Sequence, residues 1–418
     1  MQATVVEKPT RDLRAYAIGI IALMTAAGII LLALGKQGLQ STFVLTSYRA
    51  GVTIAAPDLV LPSFTSLIVL GIISAGIGFW QVFRGFNKSD WVVFIVAGLA
   101  ILAFLVWATT SKSLNLTGML VSSIVRATPI ALAALSGIYS ERSGVVNIGI
   151  EGMMLFGAFF SVVFASITQN MLVGVFAGIM AGMVLGGLHA VLSIKYKVNQ
   201  IISGTGIIIL ALGLTSYLQR SVLNTFPELN QPGPAIEALS IPWLWKIPVL
   251  GPVLFNLSPI IYTLFVLLIV TQVLMNKTRW GLRVRSVGEH PKAADTLGIN
   301  VFRIRYISVL ISGAIAGLAG SYMSIGAAGR FNEGMTAGKG FLGLAAMIFG
   351  NWNPFGAFAG SLIFGFFDSW QEKLSLLQVG IPVDLLGMAP YIATMVVLAG
   401  FIGRSRMPAA DGQPYEKE

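Results

Sequence analysis

Few residues in this chain could carry covalent chemistry. It has no cysteine, and its two histidines, His189 and His290, stand far apart. That removes thiol nucleophiles, disulfides and thiolate metal sites, and it leaves no paired imidazoles, so neither a metal nor another cofactor is expected. Within the apolar runs the candidate carboxylates are Glu151 and Asp368. An ion-coupled carrier needs paired acids inside its spans, and these two are a thin supply. The run GMTAGKG at 334–340 invites a phosphate-loop reading, but it is one residue short and lacks Ser or Thr after Lys339. No catalytic residue is assigned.

What remains is polarity in apolar surroundings. The stretch SERSGVVNIGIEG, Ser140–Gly152, sets Asn147 and Glu151 among glycines, and a long apolar run begins at Met153. A polar, glycine-rich break between helices is how transporters line a substrate path with backbone groups. The alternative is an ordinary loop whose charges are solvated and whose Glu151 caps the next helix. NQIISGTG opens a further apolar run, so that Asn199, Gln200, Ser203 and Thr205 either face a pathway or bond to neighbouring helices, at ~1 kcal/mol per bond. Phe331 and Asn332 lie in GRFNEGMTAGKG, Gly329–Gly340, a stretch expected to be external.

The elements that must position these residues follow from composition. Of 418 residues 56% are hydrophobic and only 11% charged, with a mean hydropathy of +0.82. A soluble domain would carry about a quarter of its residues as charges. The expected class is therefore all-α: a polytopic membrane bundle of about 12 spans, with both termini cytoplasmic. The spans fall near 13–34, 64–83, 91–107, 118–139, from Met153 onward, 171–192, 199–218, 259–275, 306–325, 341–350, 355–370 and 385–402. The fourth contains Arg126 and Pro129, which imply contact with protein or a cavity. In the sixth, Gly174, Gly178, Gly182 and Gly186 recur every fourth residue and clear one face for another helix, while Gly313 and Gly317 repeat the spacing in the ninth. Gly35–Ser63 reads as a polar loop, and 220–257, with six prolines, Trp243 and Trp245, as an external loop lying on the membrane.

With this topology eighteen of the 27 Lys and Arg residues lie inside and eight outside, with Arg126 within a span. The net charge of +10 thus speaks of orientation, and no nucleic-acid partner is expected. The most basic connection is NKTRWGLRVRSVGEHPKAADTLGINVFRIR, Asn276–Arg305. Its inner part, Glu289–Leu297, suits a short amphipathic helix closed by Gly298. Such a helix is placed to dock on a soluble partner; the plainer alternative is a long positive-inside loop.

Four blocks in order resemble one family: SERSGVVNIGIEGMMLFGAF, NQIISGTGIIILALGLT, GLRVRSVGEHPKAADTLGI and GMTAGKGFLGLAAMIFGNWNPFGA. Together they resemble the permease subunits of bacterial ABC importers, nearest the nucleoside branch and related to the ribose-type and branched-chain amino-acid permeases. The resemblance implies a ten-span permease core at 91–404, an N-terminal extension with two spans at 1–90, and a cytoplasmic tail at 405–418. It further implies a multi-pass protein of the bacterial cell membrane with no catalytic site of its own. Its partners would be a cytoplasmic ABC ATPase, a second and different permease, and an extracytoplasmic substrate-binding lipoprotein. The coupling segment would be Gly288–Ile299, with Gly288, Glu289, His290, Ala293, Ala294, Asp295 and Gly298 in the ATPase groove. For a nucleoside the pathway candidates are Asn147, Glu151, Asn199, Ser203, Phe331 and Asn332, with the aromatic ring available for stacking. A simple-sugar permease is the alternative within the class, and an ion-coupled secondary transporter stands outside it.

Overall fold

The structure is a computed structural model that describes residues 13–49, 52–86, 89–233, 236–392, 395 and 406–417. Packing divides the chain into two compact units, one holding residues up to Met119 with Gln371–Met388, the other Leu120–Trp370 with segments nearer the C-terminus.

In the first unit α1 (Leu13–Leu32), α2 (Ser63–Phe83) and α3 (Ser89–Ala108) are apolar over 18 residues or more, which suits a bilayer crossing of about 30 Å. Their few polar side chains bond to neighbouring backbone: Ser74 Oγ donates to the Ala22 carbonyl at 3.3 Å and Gln81 Nε2 to that of Ala15 at 3.2 Å. The boundary expected at 90 falls just inside α3, which packs with α1 and α2.

The expected loop Gly35–Ser63 is not irregular. It forms strands β1 (Gln40–Val44), β2 (Ser47–Arg49), β3 (Val52–Ile54) and β4 (Leu59–Pro62). β1 pairs antiparallel with β4, Phe43 opposite Leu59, and parallel with β5 (Ser113–Asn115), Thr42 opposite Ser113. These short strands depart locally from the all-α expectation, because Thr, Phe and Val favour an extended backbone.

The second unit continues with α4 (Leu116–Glu141), α5 (Ile150–Thr168), α6 (Met171–Ala190), α7 (Gln200–Leu218), the short α8 (Leu250–Leu254) and α9 (Pro259–Lys277). Then come α10 (Arg279–Glu289), α11 (Pro291–Thr296), α12 (Val301–Ser321), α13 (Lys339–Phe349) and α14 (Pro354–Leu376), whose last residues, with α15 (Val383–Gly387), count with the first unit. Three of these helices end in π turns: α6 at Val191–Lys195, α7 at Gln219–Leu223 and α12 at Tyr322–Ala328.

Among the described residues nine helices are long and apolar enough to cross a membrane. The chain is a multi-pass membrane protein. The span expected near 341–350 is α13, whose 11 residues reach only about 16 Å, too short for a crossing. The span expected at 355–370 is part of α14; half of the one at 385–402 lies outside the described residues, and all of residues 1–12 do.

The glycine stripe of α6 packs as its spacing demands. A Cβ on Gly182 would meet Gly317 Cα at 2.6 Å and collide with the Gly313 carbonyl, while one on Gly186 would lie 3.1 Å from Gly313 Cα. Gly157 of α5 approaches Gly317 as closely, so α5, α6 and α12 meet backbone to backbone. The proline in α4 is accommodated with equal economy. Pro129 has no N–H to donate to the Val125 carbonyl one turn back, and the buried Tyr322 hydroxyl donates to that oxygen instead, at 3.1 Å.

Substituting Gly182→Leu forces side chain into backbone and should cost about 2 kcal/mol or more. A thermal-unfolding series in detergent, followed by size exclusion, should show early loss of the monodisperse peak, with Gly206→Leu, which faces open space, close to wild type.

Candidate functional site

The break between α4 and α5 brings the first two polar candidates into the middle of the bundle. Asn147 is fully buried; its Nδ2 donates to Ser312 Oγ of α12 at 3.0 Å, and Ser312 pairs at 2.9 Å with Ser136 of α4. Asn147 Oδ1 has no hydrogen-bond partner among the described residues.

Glu151, in the first turn of α5, is buried and holds a helix remote in sequence. Its Oε1 accepts from the Gly338 N–H at 2.8 Å and its Oε2 from the Gly340 N–H at 2.6 Å. These are orphan donors at the start of α13, so one carboxylate caps the helix and meets the positive end of its dipole. Glu151 thus caps α13 across 187 positions. Beside this cap, Asp368 Oδ2 of α14 lies 3.2 Å from Lys339 Nζ and 3.5 Å from Arg126 Nη1 of α4.

The other pathway candidates are dispersed. Asn199 is exposed and caps α7 through the Ile201 and Ile202 N–H groups. Ser203 is buried against His189, whose Nδ1 it approaches at 3.0 Å, while His189 Nε2 lies 2.9 Å from the Val146 carbonyl. A carbonyl can only accept, so Nε2 carries the proton and the Ser203 hydroxyl donates to Nδ1. Phe331 is fully buried, edge-on to Phe159 with ring centroids 5.2 Å apart, and Asn230 brackets its backbone. Only Asn199 and Asn332 present exposed side chains. Spacing in sequence marks Ser136, Ser312 and His189 no differently from other polar residues in spans, so their part in this network shows only in the packing.

The basic connection between α9 and α12 is two helices rather than a loop with one. α10 begins ten residues before the expected start at Glu289 and buries Gly281, Val284, Val287 and Gly288 on one face. It breaks at His290 (φ −149°, ψ 80°), because a residue before proline is pushed out of the helical region, and Pro291 then opens α11. Gly298 ends it at φ +79°, the left-handed C-terminal glycine its position suggests.

The coupling candidates sort by side. Glu289, His290, Ala293 and Gly298 are exposed, Asp295 is half-buried, and Ala294 is buried. Gly288 is buried too, since a side chain there would collide with the Arg142 carbonyl of the α4–α5 turn. Its smallness serves the chain's own packing.

Residues 406–417, expected to be a tail, lie against this face. The Ala410 N–H donates to the Gly288 carbonyl at 2.9 Å, and Arg305 Nη1 donates to the Gln413 carbonyl at 3.0 Å. Asp411 is buried with the Arg305 guanidinium and the Glu141 carboxyl acting on it. Burial pushes its carboxyl up to about 7, against the pull of the Gly412 amide and of Arg305. Arg142 is held below its ordinary value, chiefly by burial, with Glu289 raising it and Arg285 lowering it. Glu141 receives the Trp352 indole N–H at 2.7 Å.

Residues 119–402 match the family model described as the permease component of the branched-chain amino acid transport system. The chain belongs to this permease family. Among similar permeases, the guanosine ABC transporter permease protein NupQ of Bacillus subtilis is 42% identical over 71% of this chain and 95% of its own. The nucleoside ABC transporter permease protein NupC of Lactococcus lactis is 39% identical over 70% of this chain and 95% of its own. The putative glucose ABC transporter permease protein TsgC13 of Haloferax volcanii is 32% identical over 72% and 98%. No solved structure matches this permease.

Two outcomes follow from this geometry. Glu151→Gln leaves one amide N–H facing a helix N-terminus, and the permease should lose about 1–3 kcal/mol of stability in detergent. Asp411 titrates near 3.8 when exposed and near 7 when docked, so between these values the docked form holds the extra proton. Docking is therefore favoured at low pH and weakens as pH rises through about 7. Limited proteolysis of residues 406–417 should be faster at about pH 8 than at about pH 6, and Asp411→Asn should remove the difference.

Proposed function

We propose that this chain is a transmembrane permease subunit of an ATP-driven importer that moves nucleosides across a bacterial cell membrane. The observation that carries the reading is the likeness to the guanosine permease NupQ, at 42% identity over 95% of that protein's length. NupC, the nucleoside permease, lies close behind at 39%, ahead of the glucose permease at 32%. Hydrolysis belongs to a separate cytoplasmic ABC ATPase that docks on α10 and α11, where Glu289, His290, Ala293 and Gly298 are exposed. A second, different permease completes the pathway, and an extracytoplasmic lipoprotein delivers the nucleoside.

With the N-terminus inside, the eight long apolar helices α1–α7 and α9 return the chain to the cytoplasm before the basic α9–α12 connection, the side that its Lys and Arg favour. On this reading Asn199 and Asn332 meet substrate directly, supported by their exposure. Asn147, Glu151, Ser203 and Phe331 form the packed frame of the pathway and act by fixing α13 and the α4–α5 turn. The 32% identical glucose permease favours a second reading, simple-sugar import, with the same architecture.

Proteoliposomes holding this chain, its ATPase and its partner permease should take up labelled guanosine when ATP and the binding protein are present. Excess unlabelled nucleoside should abolish the signal and excess glucose or ribose should not. Uptake that needs only a proton or sodium gradient would overturn the importer reading, and competition by sugar alone would overturn the nucleoside branch.

A further inference from the structure

We propose that residues 406–417 are a positioning strap that seats the ATPase-docking helices, an inference that rests on reading α10 and α11 as the docking element. A segment that merely trails would bury little and bond to nothing in particular. This one buries Ala410, Asp411 and Tyr415, at 4%, 6% and 6% exposure.

Its bonds reach several segments of the same face. The Arg406 N–H donates to Asn351 Oδ1 at 2.9 Å, in the turn between α13 and α14. The Ala409 N–H donates to Glu289 Oε2 at 3.3 Å and the Ala410 N–H to the Gly288 carbonyl at 2.9 Å, both at the end of α10. Arg305 Nη1 and the Phe302 ring, in the first turns of α12, hold the Gln413 carbonyl and the Tyr415 ring, whose centroid is 5.4 Å from that of Phe302. Lys197, beyond α6, pairs with Glu416.

The bond to Gly288 explains why this position matters. The last carbonyls of a helix have no partner within it, and an unpaired one in a buried setting is costly. The strap supplies the missing donor at the end of α10, two residues before the His290 break that sets the direction of α11. It thereby fixes the hinge of the docking helices to α12 and to the α13–α14 turn. It does so from the inner side, because Ala293 and Leu297 remain exposed, Leu297 at 80%. A partner seated on α11 thus pushes on a braced element, and motion of the ATPase is delivered to the spans. With the strap gone, the same motion is absorbed at His290.

The absence of cysteine makes the test direct. In the reconstituted complex, removal of 406–418, and separately Ala410→Pro with Tyr415→Ala, should lower guanosine uptake about tenfold or more, as loosened positioning does, while ATP hydrolysis continues near its wild-type rate. The uptake-to-hydrolysis ratio is the readout, since a simple folding defect lowers both together. A parallel fall of the two, or no change in either, would overturn the strap. Bridging Lys197→Cys to Glu416→Cys, an exposed pair whose ion contact contributes little, with a short bifunctional thiol reagent should preserve uptake; loss on bridging would overturn a strap that stays seated. Leu297→Cys tests the underlying reading independently. It should cross-link to the ATPase in the intact complex, and failure there would sink the docking assignment whatever the truncation does. A cross-link with an unchanged ratio on truncation would sink the strap alone.

Discussion

The close approach of α6 to α12 is the constraint on which the second unit depends. Lipid tails are as apolar as leucine, so two helices gain nothing by hiding hydrophobic surface from them and must be held by contact at short range. Gly182 and Gly186 against Gly313 and Gly317 supply that contact, and Gly157 brings α5 into it. α5 carries Glu151, and α12 carries Ser312 and Arg305. The cap on α13, the Asn147 bond and the tail's anchor therefore all inherit their positions from one glycine-lined junction.

Around that junction the polar groups are disposed of locally. The Val125 carbonyl freed by Pro129 receives Tyr322, and the Val146 carbonyl receives His189. Each bond would be modest in water, but within a bilayer the alternative is an unpaired group, which costs several times more. Transport demands that spans move as bodies. Where polar groups are satisfied by fixed neighbours, spans can do so without exposing those groups to lipid.

Local pattern told a good deal of this. The apolar runs locate the spans, the four-residue glycine period locates the packing face, and Asn353-Pro354 marks a turn in which Asn353 Oδ1 receives the Phe355 and Gly356 N–H groups. Gly298 ends α11 where its type suggests. What stayed hidden is what depends on partners distant in sequence. Glu151 looked like a pathway acid or the cap of its own helix; it caps α13, and nothing within a window of a few residues could reveal that. The polar run before α2 concealed strands because β1 finds β5 about seventy residues away. Sequence leaves Phe331 open to stacking, since its burial comes from Phe159 and Asn230, both remote along the chain. Asp411 and Tyr415 sit in a segment whose composition alone reads as solvated.

The π turns that end α6, α7 and α12 carry a consequence for comparing this chain with its kin. A π turn bonds i to i+5 and so houses one residue more than the α turn it replaces. Across Tyr322–Ala328, correspondence with any relative whose helix runs on as plain α must therefore slip by one position. Phe331 and Asn332 follow directly after that slip. An alignment that counts forward from Gly317 without a single-residue gap would pair each of them with its neighbour's equivalent, so functional roles inferred across the family beyond that turn need the gap placed from backbone geometry.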